Sequence, residues 1–581
     1  MLRKRSHIFA GFFITLLFVA GNAAAGENTP KRNKRRPPVD IKITAWGPTQ
    51  SEVDAAIARV ERSGAVQAQL KGSKYRLLEF AYIESENKST STKSPTRFRV
   101  AFYDYTNDRS IVAESDFAGK ENVIVRKEYR NPTPNDAEFD EAVSILQKDQ
   151  RYSSKLTAGS IKTFQPMPPT TILDGTMERL VNIGLRVSNS DQTEVISVSI
   201  RRGEVIRYTE NAPPSSKASD GSCGIASAGQ STTPQNTPGQ YQLTVNDGQN
   251  PLWEMLIIRP SASSGTNKSG IEVRDVKYRG KSVLKRGHVP VLNVQYTPAS
   301  CGPYRDWQWQ EDNFSTPSNS TDPAPGIRLV PPGGVATTSI ETGVDGGNFR
   351  GVAVYQQDVG NGVEVVLITE MQAGWYRYIN EWRFGSDGTI RPRYGFGATI
   401  NGCVCNVHHH HAYWRFDFDI VGTNNRVYQI ERGRKFLQPI DTEITRNKNV
   451  ATNRSLLIQN STGNEAYALV PNKTDGVVDT FGVNDFWVLR YKNLTVPAGA
   501  NPNFVNEIDD GETCIDCTDT TGPIRIDPFI NGESVIDHDV VVWYGAHFTH
   551  NDGGNLVNPN RSPEVISGSH VIGPDLRPVR W

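Results

Sequence analysis

The sequence predicts an α+β protein, with two small N-terminal α+β modules followed by one large antiparallel β-sandwich. Three observations carry that reading. Fifty glycines and 35 prolines against only 5 methionines favour short strands and turns over long helices. Helical spacing of apolar residues occurs in two short N-terminal stretches, each followed by strand-like runs. From Tyr241 to Trp581, β-branched and aromatic runs repeat between Gly, Pro, Asn and Asp, the pattern of a large sandwich.

In chain order, Met1–Ala25 reads as a secretory signal peptide. Arg3, Lys4 and Arg5 are its charged start, Ile8 to Ala20 its apolar stretch, and Ala23-Ala24-Ala25 its small-residue cleavage site. The expected location is therefore secreted or periplasmic. Residues 26–45 form a basic linker, whose Lys31–Pro38 run carries five basic residues and two prolines. The first module spans 46–130. Pro48-Thr49-Gln50-Ser51-Glu52 opens a helix carrying Val53, Ile57 and Val60, which Arg62-Ser63-Gly64 ends, and strands are expected at Tyr75–Tyr82 and Phe98–Tyr103. The second module spans 131–214, with Phe139, Ala142, Ile145 and Leu146 at helical spacing and a β-like stretch from Leu180 to Tyr208. Residues 215–240, rich in Ser, Gly, Thr, Pro and Gln, read as a linker, and 241–581 as the sandwich.

Charge excludes some functions. The 63 basic and 63 acidic residues cancel, so the chain lacks the surplus with which a nucleic-acid binder neutralises phosphates. A mean hydropathy of −0.48, with no apolar run of membrane length beyond the N-terminus, leaves no membrane span after signal cleavage. Six cysteines stand at 223, 301, 403, 405, 514 and 517. In an exported chain they read as disulfide partners; a four-thiolate zinc site from the two close pairs is the alternative.

The sharpest motif is Val407-His408-His409-His410-His411, continuing to Arg415, Asp417, Phe418 and Asp419. On a strand, residues i and i+2 share a face, so His408 and His410 can serve one metal while His409 and His411 point away. A third imidazole would come from Trp543-Tyr544-Gly545-Ala546-His547-Phe548-Thr549-His550. Three imidazoles suit copper or zinc, copper being favoured by the usual affinity order. A histidine-rich surface loop is the bland alternative.

These residues resemble the copper amine oxidases, whose copper is held by a His-X-His pair and a distant third histidine. The resemblance implies copper on His408, His410 and His550, with His547 in reserve, because Asp539-Val540-Val541-Val542-Trp543 and Thr549-His550 match the family's third-ligand region. It also implies a calcium-type site at Asp417, the Phe418 carbonyl, Asp419 and Asp539, a donor set suited to a hard cation. Arg274-Asp275-Val276-Lys277-Tyr278 and Asn464 to Pro471 resemble further family segments.

Counting back from Trp382 and Asp387-Gly388-Thr389 places the precursor of the family's topaquinone at Tyr376. There Trp375 stands in place of the family's Asn and Arg377 in place of an acid, and Tyr376 also reads as a core residue beside Tyr378. By position the catalytic base is Asp312, with Asp306 as the alternative. The resemblance thus implies an exported homodimer that uses O2 to oxidise primary amines to aldehyde, ammonia and hydrogen peroxide. A catalytically inactive copper-binding homologue without the quinone is the alternative, and a zinc hydrolase a weaker third.

Overall fold

The computed structural model describes residues 38–83, 94–128, 132, 134–164, 172–173, 176–177, 179–188, 193–206, 224–227, 239–263, 270–297, 304–306, 322–324, 326–360, 362–400, 404, 407–473, 475–478, 484–491, 526, 530–550 and 572–581. The expected signal peptide, all six cysteines and Asp312 lie outside these residues. Among the described residues, no helix is long and apolar enough to cross a membrane.

The first module forms as its sequence dictates. Helix Gln50–Glu61 buries Val53, Ala56, Ile57 and Val60, one stripe at 3.6-residue spacing. Thr49 and Glu52 satisfy its first amides as a capping box. The expected stop at Arg62-Ser63-Gly64 is also a start, because the Ser63 side chain accepts from the Val66 amide and caps a second helix, Gly64–Leu70. Both cover a four-stranded antiparallel sheet of Tyr75–Ile83, Arg97–Asp104, Arg109–Asp116 and Ile124–Glu128.

In the second module, helix Asp136–Leu146 is capped by Asn135 and Glu138. The stretch expected from Leu180 to Tyr208 resolves into strands Val181–Val187, Thr193–Ser199 and Glu204–Ile206, joined by Ile161–Phe164. The two modules share a core, since Leu78, Tyr103 and Tyr105 pack with Leu146, Ile183 and Ile196. Glu138, fully buried, is held there by Arg179 at 2.6 Å.

Two ten-stranded sheets form the sandwich. The first runs Asp40–Ala45, Gln240–Asp247, Asn250–Ile258, Glu272–Tyr278, Lys281–Thr297, Val407–Phe418, Val540–His550, Phe486–Arg490 and Ile444–Arg446, with Tyr304–Asp306 beside Lys281–Thr297. Asp40–Ala45 corrects the expected linker. Its Ile43 faces the sandwich core, and its backbone pairs with Gln240–Asp247 along its whole length. The second sheet runs Ile327–Leu329, Val352–Val359, Gly362–Ala373, Tyr376–Gly385, Ile390–Ala398, Asp575–Arg580, Ala466–Val470, Ser455–Asn460, Asn425–Ile430 and Gln438–Ile440. Neighbours are antiparallel except Ile327–Leu329 with Val352–Val359. The inner faces meet through Trp253, Trp382, Trp414, Phe384 and Phe416. Trp382 lies so close to the first sheet that a Cβ on Gly287 would stand 2.7 Å from its ring. The fold thus has the predicted class, α+β with a large β-sandwich.

Candidate functional site

The histidine strand Val407–Phe418 lies inside the first sheet, paired on one side with Lys281–Thr297 and on the other with Val540–His550. In the latter register His408 stands opposite His550, His410 opposite Phe548, and His411 opposite His547. Directly opposed residues share a face and faces alternate along a strand. Positions 408, 410 and 550 therefore belong to one face, followed along the strand by Ala412, Trp414, Phe416 and Phe418 of the core. His547, the reserve ligand, lies on the opposite face with His409 and His411.

His410 is fully buried between the two sheets. Its ring stacks on Phe396 at 4.2 Å between centres, and Tyr376 meets it edge-on at 4.8 Å. The Tyr378 hydroxyl lies 3.5 Å from its Nδ1. Tyr376 and Tyr378, two residues apart on strand Tyr376–Gly385, stack on each other at 5.1 Å and 10°. The sandwich thus presses the expected quinone precursor of one sheet against an expected copper ligand of the other.

The two altered residues beside Tyr376 each have a structural place. Gly374 and Trp375 form a two-residue hairpin turn between Ala373 and Tyr376, with Gly374 at φ +58°. Glycine at the first turn position gives the type II′ twist that antiparallel strands need. Trp375 turns into the core, and its carbonyl accepts from the Thr399 amide at 2.7 Å. Arg377 alternates to the far side of the strand from Tyr376. There it grips buried Asp345 with two bonds, Nε at 2.5 Å and Nη2 at 2.9 Å. Its charge is neutralised on the face away from His410.

Asp417, Asp419 and Asp539 converge, each offering a carboxylate oxygen within 4.8 Å of the others. Phe418, between the first two in the chain, buries its ring in the core. Asp306 ends a short strand opposite Leu292, which in turn pairs with Ala412 of the histidine strand.

Sequence reasoning missed a buried charged row on the outer face of the first sheet: Glu272, Arg274, Arg286 and His288. Burial alone would raise the Glu272 pKa, but Arg274, Arg286 and His288 outweigh it and hold the carboxyl far below its ordinary range. The signal was present in the sequence, since 272 and 274, then 286 and 288, are charged or titratable at strand alternation, with Val273 and Gly287 between them.

No protein-family model matches the chain, and no curated protein sequence does. Solved structures do. The copper-containing benzylamine oxidase from Hansenula polymorpha superposes with a TM-score of 0.58 at 13% identity, covering 92% of this chain and 97% of that one. The Pichia pastoris lysyl oxidase gives 0.57 at 12% identity, covering 94% and 91%. The Aspergillus nidulans amine oxidase gives 0.55 at 12%, covering 95% and 90%. At such identities the likeness is one of fold. Over nearly its whole length, the chain has the fold of the copper amine oxidases.

Proposed function

We propose that the chain is an exported, homodimeric, copper-dependent oxidase of primary amines, with His408, His410 and His550 as copper ligands and Tyr376 as the precursor of its quinone. The observation that carries this is the approach of Tyr376 to His410 across the sandwich, 4.8 Å between ring centres, with His550 in register with His408. The donor set fits, because imidazoles at i and i+2 of one strand and a third on its neighbour make a nitrogen-rich site that favours copper. With copper bound and Tyr376 oxidised to topaquinone, the pair would supply the electron sink through which amine, O2 and water become aldehyde, ammonia and hydrogen peroxide.

The chain's own residues do the rest. Phe396 fixes the plane of His410 and the Tyr378 hydroxyl lies against its Nδ1, which leaves Nε2 as the nitrogen for a metal. The Gly374-Trp375 turn and the Arg377–Asp345 pair hold the backbone on both sides of Tyr376. Asp312, or Asp306 in its stead, takes the α-proton of the bound amine as general base. Asp417, Asp419 and Asp539, with the Phe418 carbonyl, hold a hard cation such as Ca²⁺, as three clustered carboxylates suit.

A copper-binding protein without quinone is the second reading. It is favoured by the tight parallel stacking of Tyr376 on Tyr378, which is how two core tyrosines pack. Metal-free protein given Cu²⁺ and air and then phenylhydrazine separates the two. A coloured adduct located on Tyr376 by peptide mass spectrometry is expected, and it should be absent in Tyr376→Phe with copper still bound. Unit copper without any adduct in the wild type would sink the oxidase and leave the binding protein.

A further inference from the structure

The histidine strand has a second face. His409 and His411 occupy it, and His547 stands directly opposite His411 on the neighbouring strand. The His411 and His547 rings lie 5.1 Å apart at 77°, and the His409 and His411 rings 6.5 Å apart. His547 is 3% exposed, its Nδ1 makes no hydrogen bond, and its Nε2 lies 3.0 Å from Oδ1 of fully buried Asp485 without the alignment of a hydrogen bond. Two glycines make room for it. A Cβ on Gly545 would stand 3.3 Å from His547 Nε2, and one on Gly476 3.1 Å from His547 Cβ.

We propose that His411, His547 and Asp485 form a second transition-metal site on the outer face of the sheet, separate from the face of His410, with half-buried His409 at its entrance. First-row ions bind imidazole nitrogen and carboxylate oxygen at about 2.0–2.2 Å, which sets neighbouring donor atoms about 3 Å apart and two bound rings about 5 Å apart between centres. His547 Nε2 and Asp485 Oδ1 already stand at the first separation, and the rings of His411 and His547 at the second. The ring of His411 has still to turn about its soft torsion to bring a nitrogen into the set, since the three donor atoms do not all lie within 4.8 Å of one another as the ring stands. Two imidazoles and one carboxylate select a zinc-, cobalt- or copper-like ion over calcium or magnesium. Burial holds His547 neutral, its pKa lowered to about 4, the form that can donate to a metal. The opposing group is Lys448, whose ammonium lies 3.4 Å from Asp485 Oδ1 and donates to the Gly545 carbonyl at 2.8 Å. It is the cation a metal ion would displace from Asp485.

The test uses the full chain carrying His408→Ala and His410→Ala, which removes two ligands of the inner face, in excess Ca²⁺ to fill the carboxylate cluster. Co²⁺ is the probe, read by bound-metal stoichiometry and visible absorption. One equivalent is expected, with the strong absorption of a four- or five-coordinate nitrogen-bearing site. It should fall at least tenfold in affinity when His547→Gln or His411→Gln is added. No bound Co²⁺ in the starting variant, or undiminished binding after either addition, overturns the proposal. Should those additions prevent folding, Asp485→Asn serves as the third ligand variant, and undiminished binding there overturns the proposal as well. The outcome is independent of whether Tyr376 ever becomes a quinone.

Discussion

Glu272 is a carboxylate that the fold keeps charged inside a protein interior. Arg274 and Arg286, each at ion-pair distance, make that possible. Its folded pKa is depressed, so the stability it contributes is present above the unfolded carboxyl value of about 4.3 and is lost as pH falls towards the folded value. Glu272→Gln leaves two buried guanidinium groups short of a counter-charge and should cost about 3–5 kcal/mol at pH 7. In urea unfolding the gap to wild type should narrow by up to about 1.4 kcal/mol per pH unit below about pH 4.3, because only the unfolded wild type takes up the proton there. A gap that stays constant between neutral and strongly acid pH would show that Glu272 is not held ionised. At this scale the sequence was legible wherever chemistry follows from residue type and alternation, as with the opposite faces of His408/His410 and His409/His411. It was not legible for Arg377. The same alternation turns its charge away from Tyr376, but Asp345, the partner that explains it, lies 32 residues upstream.

Turns and strand ends decide which face a residue shows. Tyr376 is the first residue of its strand, and the Gly374-Trp375 turn sets its register against Ala373. An alanine side chain at position 374 would have to accept φ +58°, where its Cβ crowds the following carbonyl. Gly374→Ala should therefore destabilise by about 1–2 kcal/mol, and Gly374→Asn by less, since asparagine tolerates that region. Chemical denaturation of wild type and the two variants checks the order. Equal stability of wild type and Gly374→Ala would mean the hairpin takes another turn. The strands themselves were readable because β-branched and aromatic runs mark them, as at Val363–Thr369 within Gly362–Ala373. Asp40–Ala45 escaped because a short strand beside a basic run carries little pattern, and its partner Gln240–Asp247 lies far along the chain. Ser63 is ambiguous as sequence, since Ser-Gly marks both a stop and an N-cap, and only the chain beyond it tells which.

Across the whole molecule, the carboxylate cluster ties together what the sequence separates. Asp417 lies one residue before the end of the histidine strand and Asp419 just beyond it, while Asp539 immediately precedes strand Val540–His550, distant in the chain and adjacent in the sheet. Three carboxylates within 4.8 Å repel one another when ionised, and two of them are buried. A divalent cation would turn that repulsion into a clamp on the two strands that carry the candidate metal-binding histidines of both faces. Any ion that binds only the folded state stabilises it by about 2.7 kcal/mol at about 100 times its Kd. Chelation with EGTA should then lower Tm by several degrees, and millimolar Ca²⁺ should restore it. Asp539→Asn should remove most of that calcium response while leaving the chelated protein as stable as wild type or slightly more so, because one like charge is gone. Identical melting with EGTA and with Ca²⁺ would leave the cluster as an acidic patch that holds no calcium. In that case the two histidine-bearing strands would depend for their alignment on their own backbone ladder and on the core rings of Trp414, Phe416 and Tyr544.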